Sequence, residues 1–162
     1  MKNSVFSFPV QGLPACRWQL HDRGRFTVAQ NVLTVEDGWA SAEELSLTDL
    51  SFEFDARSPA DAPQVQIWAG IRHYSRDYRY VVALRGGNNN HLYLARLGAE
   101  GYDKMLALRP LEFTPQPGVW YHLRIVFAGQ TVAVYLNGGA APLLLYTDED
   151  APFAAGSVAV GR

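Results

Sequence analysis

The chain has 162 residues, of which 48% are hydrophobic and 19% charged, enough for one globular domain with a substantial core. A formal net charge of -2 gives no basic face for phosphate, which excludes a nucleic-acid partner. A single cysteine, Cys16, excludes an intrachain disulfide and a cysteine-based metal cluster.

The N-terminal dozen residues contain one lysine but no apolar run of signal-peptide length, and nothing in the chain approaches a membrane span. With Met1 as the native start, the expectation is a cytoplasmic protein without a membrane partner. Short apolar or alternating runs, punctuated by Gly, Pro, Asn and Asp, predict an all-β sandwich or barrel. In chain order, strands are expected at 17–21, 26–29 and 32–35, with Gln30 and Asn31 forming a tight hairpin turn. Strands at 40–46 and 50–57 follow. In the second of these, Leu50, Phe52 and Phe54 alternate with Ser51, Glu53 and Asp55, placing carboxylates on one face and core residues on the other.

A proline-marked loop at 58–63 leads into the most informative stretch, 67–97, which reads as three consecutive strands joined by two polar turns. The first turn carries His73, Tyr74, Arg76 and Asp77, and the second carries Arg85, Gly86, Gly87, Asn88, Asn89, Asn90 and His91. Planar aromatics, guanidiniums and amides are the groups that cover a sugar ring and hold its adjacent hydroxyls. Arg72, His73, Tyr74, Asp77, Tyr78, Arg85, Asn88, Asn90 and His91 are therefore the expected ligand-binding residues. Tyr80, in phase with Val82 and Leu84, is assigned to the core.

Strands at 104–111, 120–127, 131–136, 143–146 and 156–160 complete the chain. In 120–127, Tyr121, Leu123, Ile125 and Phe127 share one face, while His122 and Arg124 lie on the other. His122 and Arg124 are added to the binding set on the expectation that they line the same concave surface, with Trp68 a weaker candidate. Asp148, Glu149 and Asp150 could supply oxygen ligands to a structural Ca²⁺. Without further ligands at a recognisable spacing, the run is read as an acidic surface turn, Asp148 and Asp150 remaining weak metal candidates. The four histidines show no zinc spacing, and no cofactor is expected.

The run Trp-Tyr-His-Leu-Arg-Ile-Val-Phe at 120–127, Val-Ala-Val-Tyr-Leu-Asn-Gly at 132–138 and Gly-Ser-Val-Ala-Val-Gly at 156–161 resembles the concanavalin A-like lectin/glucanase superfamily, the laminin-G-like jelly rolls. The resemblance extends from about residue 26 onward and is more specific for fold than for activity. It implies an antiparallel β-sandwich of jelly-roll type and a carbohydrate partner. Members include carbohydrate-binding modules, accessory domains of glycoside hydrolases and 3-keto-disaccharide hydrolases. Glucanases of this superfamily use a Glu-x-Asp-x-x-Glu motif, and Glu53-Phe54-Asp55 begins it, but Arg57, Ser58 and Pro59 stand where the second glutamate belongs. The domain itself is therefore expected to be non-catalytic, with catalysis in an attached domain of a parent glycoside hydrolase. The alternatives are a purely structural interdomain module and an enzyme of the 3-keto-disaccharide hydrolase kind. Jelly rolls of this type carry one more strand after the segment matching 156–161. Residues 1–162 are accordingly expected to be one domain cut from a longer chain near its last strand, unless an early segment at 5–8 covers that edge.

Overall fold

The computed structural model describes residues 3–7, 16–21, 24–30, 32–75, 78–98, 103–150 and 153–161. Among the described residues, fourteen strands form two seven-stranded sheets, packed face to face. The first sheet has the order β13-β12-β11-β6-β1-β4-β3. Its strands are β1 (Asn3–Ser7), β3 (Arg25–Ala29), β4 (Val32–Glu36), β6 (Leu50–Arg57), β11 (Tyr121–Ala128), β12 (Thr131–Leu136) and β13 (Leu144–Thr147). The second runs β10-β9-β8-β7-β14-β5-β2. It comprises β2 (Trp18–His21), β5 (Trp39–Ala42), β7 (Gln66–Ser75), β8 (Tyr78–Arg85), β9 (His91–Leu97), β10 (Asp103–Pro110) and β14 (Ser157–Gly161). Every strand pair is antiparallel, the all-β sandwich expected from the sequence.

Side-chain alternation builds the core. Phe52, Phe54 and Ala56 of β6 point inward, as do Leu123, Ile125 and Phe127 of β11 and Val132, Val134 and Leu136 of β12. Ile67, Ala69 and Ile71 of β7, Tyr80, Val82 and Leu84 of β8, and Leu92 and Leu94 of β9 meet them from the second sheet. The β11–β12 hairpin pairs Leu123 with Leu136, Ile125 with Val134 and Phe127 with Val132. Its turn takes positive φ at Asn137 (52°) and Gly138 (72°), the conformation an Asn-Gly pair tolerates best.

Two features depart from the strand list. The segment 40–46 pairs only as far as Ala42, because residues 43–47 leave the sheet to form a wall beside it. Residues 3–7 form β1 and fill an interior slot between β4 and β6, so the early segment does enter a sheet.

One local irregularity decides what the second sheet displays. β7 pairs regularly up to Ile71, then shifts register against both β14 and β8. Arg72 is the extra residue of a β-bulge, held at φ 48°. The bulge reverses the alternation: Arg72 turns into the sandwich, and His73 takes the outward position opposite Ser157. Gly156 passes so close here that an added Cβ would sit 2.4 Å from the Arg72 carbonyl carbon.

Candidate functional site

The outward face of the second sheet is unlike a solvated surface. The registers place Gln19 and His21 of β2, Trp39 and Ser41 of β5, Ser157 and Ala159 of β14, and Trp68, Gly70 and His73 of β7 on this one side. Arg79 stands over the Trp39 ring at 4.2 Å, and Trp39 and Trp68 meet at 5.9 Å between ring centroids. Val81, Ala83, Tyr93 and Ala95 continue this buried layer toward β9.

Where β2, β5, β14 and β7 end together, this face opens into a cleft of about 630 Å³. Its floor holds His21 and His73, with ring centroids 5.2 Å apart, and Ser41, whose hydroxyl shares a 2.7 Å hydrogen bond with His21 Nε2. Gln19 and the loop residues Glu43, Glu44, Leu45 and Ser46 form one wall, and Tyr74 with residues 155–157 forms the other. The wall loop is pinned at both ends. Glu43 N–H donates to the Arg17 carbonyl, and Leu47 and Gly156 exchange backbone hydrogen bonds. The Ser157 hydroxyl donates to the Ala42 carbonyl and fixes β14 against β5 on the cleft side.

His73 is only 5% exposed, and its Nε2 has no hydrogen-bond partner among the described residues. Burial holds its pKa down to about 4, with Arg79 and then His21 pushing the same way, so the imidazole is neutral at physiological pH. Tyr74 is the opposite case: at 81% exposed it presents a nearly bare phenol ring at the mouth of the cleft. A polar floor beneath an exposed aromatic ring suits the hydroxyl edge and apolar face of a saccharide.

The expected binding residues do not converge as a set. Consecutive turns of an antiparallel meander lie at opposite ends of the sheet, a consequence of the strand order itself. The turn bearing Arg85, Asn88, Asn90 and His91 is thus separated from His73 and Tyr74 by the length of β8, about 23 Å at roughly 3.3 Å per residue. At that far end Asn88 is exposed, while Asn90 donates to the Thr114 hydroxyl and its carbonyl accepts from Leu111 N–H. His91 packs on Tyr93, and its pKa is lowered by burial and then by Arg85.

Arg72 is corrected outright. It is 3% exposed, and it donates from Nε to the Thr48 carbonyl (2.9 Å), from Nη1 to Phe153 (2.7 Å) and from Nη2 to Gly129 (2.8 Å). Its guanidinium also covers the Phe127 ring at 3.8 Å, leaving it inside the sandwich and closed to a ligand. Tyr78 is partly exposed and meets Phe153 edge-on, while Asp77 lies outside the described residues.

His122 and Arg124 are on the outward face of the first sheet, the other side of the molecule from the cleft, and so share no surface with His73 and Tyr74. There His122 sits between Glu53 and Asp55, Nε2 3.0 Å from Oε1 and Nδ1 2.9 Å from Oδ1, while Arg124 covers the Tyr135 ring at 3.9 Å. Asp148 is 1% exposed and accepts hydrogen bonds from Arg96 and from the Tyr80 hydroxyl, so it faces the core. Asp150 pairs with Lys104. Both carboxylates of the weak metal set are thus engaged by cations of the fold.

Sequence reasoning missed Gln19, His21, Ser41, Glu43 and Glu44. The i, i+2 spacing of Gln19 and His21 did put them on one face of a strand. What it did not contain was the pairing of β2 with β5.

No family model and no curated protein matches the chain. Among solved structures, the carbohydrate-binding module CBM66 from Bacillus subtilis aligns with a TM-score of 0.73 at 14% identity, over 88% of this chain and 85% of that one. The architecture is therefore a two-sheet antiparallel sandwich of the type seen in that module. A κ-carrageenase from Pseudoalteromonas carrageenovora, solved with an oligotetrasaccharide of κ-carrageenan, aligns at a TM-score of 0.43 and 12% identity. That alignment covers 98% of this chain but 64% of the carrageenase.

Proposed function

We propose that this chain is a non-catalytic carbohydrate-recognition module of a longer, glycan-active protein, belonging to the concanavalin A-like group that its sequence resembles. The observation that carries the reading is the cleft at the end of the second sheet, with the exposed Tyr74 ring at its mouth, imidazoles and a hydroxyl on its floor and an amide in its wall. The fold shared with a carbohydrate-binding module supports it. A binding role is further supported by His73, since an imidazole held near 4 is a weak base at neutral pH and ill-suited to proton abstraction. In such an arrangement the module raises the effective concentration of an attached catalytic domain at its polymer, without chemistry of its own.

The test is binding to an oligosaccharide panel, followed by titration calorimetry of the wild type and of Tyr74→Ala. The expected result is saturable binding that weakens at least tenfold in the variant, with an unchanged melting temperature because the ring is outside the core. Equal binding by both proteins refutes the placement in this cleft.

A further inference from the structure

The cleft's charge distribution goes one step beyond recognition of a saccharide and rests on that reading. Among the described residues lining it, the charged side chains are Glu43 and Glu44, and no lysine or arginine is present. Arg17 reaches Glu43 at 3.4 Å and offsets part of its charge. Glu44 is exposed at the rim and has no ion-pair partner among the described residues. At the cleft floor, the buried Nε2 of His73 has no hydrogen-bond partner among the described residues. His21 and Ser41 are already bonded to each other across the cleft floor.

Sulfate and carboxylate groups are held by guanidinium and ammonium donors, which this lining lacks. A carboxylate at the rim repels an anion, accepts hydrogen bonds from adjacent sugar hydroxyls and attracts an ammonium group. We infer that the cleft selects glycans by charge, taking neutral and amine-bearing saccharides and rejecting sulfated or uronic ones, with Glu44 setting the selection. Glu44 holds φ at 61° in a loop tied by backbone hydrogen bonds at Glu43 and Leu47.

The experiment uses immobilised oligosaccharides of four kinds: neutral, amine-bearing, sulfated and uronic. Wild type, Glu44→Gln and Tyr74→Ala are compared at neutral pH and low salt. The expected outcome is binding to neutral or amine-bearing members, with sulfated and uronic ones at least tenfold weaker. Glu44→Gln should narrow that gap about fivefold or more while leaving the melting temperature unchanged. Sulfated or uronic glycans bound as tightly as neutral ones would overturn charge selection and leave carbohydrate recognition standing. A charge preference that Glu44→Gln leaves intact would overturn the role given to Glu44. Silence across all four kinds would overturn the recognition reading and this inference together.

Discussion

Replacing Arg72 with methionine separates a residue that holds the sandwich together from one that touches a ligand. Methionine keeps much of the apolar stem over Phe127 but removes donors to three carbonyls from three different segments, at Thr48, Gly129 and Phe153. A hydrogen bond from a charged donor contributes roughly 1.5–3 kcal/mol. Thr48 and Gly129 lie in exposed turns, so their carbonyls regain water once the guanidinium is gone, and the full sum is not lost. The net cost should be about 3 kcal/mol, roughly the worth of one or two charge-assisted hydrogen bonds. For a chain of this size, each kcal/mol shifts the melting temperature by about 2–4 °C, so a fall of about 10 °C is expected. Urea unfolding followed by tryptophan fluorescence, together with a thermal melt, reads this directly. Arg72→Lys should recover little, because one ammonium cannot reach three separated carbonyls as the planar fork does. A loss below about 1 kcal/mol would refute this account of the bulge. Weakened glycan binding at an unmoved unfolding midpoint would return Arg72 to the binding surface.

Three further outcomes follow from buried groups. His73 is held near 4 when folded, whereas an unfolded histidine titrates near 6.5, so its contribution is complete above about pH 6.5 and is lost as pH falls toward 4. About 2.5 pH units at ~1.4 kcal/mol each give roughly 3–4 kcal/mol, and urea midpoints across this window should show His73→Gln flattening the decline. Tyr80 is pushed above the usual phenol range by burial and then by Asp148, so stability should fall as pH rises past about 10, where unfolded tyrosine ionises. Tyr80→Phe should cost about 1–2 kcal/mol at neutral pH and remove that alkaline fall, both measurable by urea unfolding. In Gly156→Ala the new Cβ meets the Arg72 backbone, with its carbonyl oxygen 2.7 Å away, and the expected loss is about 2–3 kcal/mol by the same assay. A loss under ~0.5 kcal/mol there would mean that the bulge moves aside freely.

The strands were legible wherever period-two alternation met a turn signal, as in β6 and in the β11–β12 hairpin, whose partners lie close in sequence. The site was less legible, for two physical reasons. Alternation assumes an unbroken ladder, and the bulge at Arg72 inverts it, sending the guanidinium inward and the neighbouring imidazole outward. Proximity in sequence was also taken for proximity in space, although one intervening strand carries two successive turns to opposite ends of a sheet. His21 and Glu44 reach the cleft through the β2–β5 pairing and the loop after β5, where residues 52 apart in sequence, such as His21 and His73, come into ring contact. Hydrophobic pattern along the chain does not encode such pairings.

The placement of β1 and β14 has a consequence for biosynthesis. Each fills an interior slot, β1 between β4 and β6 and β14 between β7 and β5, in opposite sheets. As the chain leaves the ribosome, the second sheet stays split until β14, the last of its seven strands to be made, emerges. β5 and β7 meanwhile present unsatisfied backbone edges to the surrounding solution. A premature stop only a few codons before β14 should therefore leave two sticky half-sheets in place of one shortened sandwich.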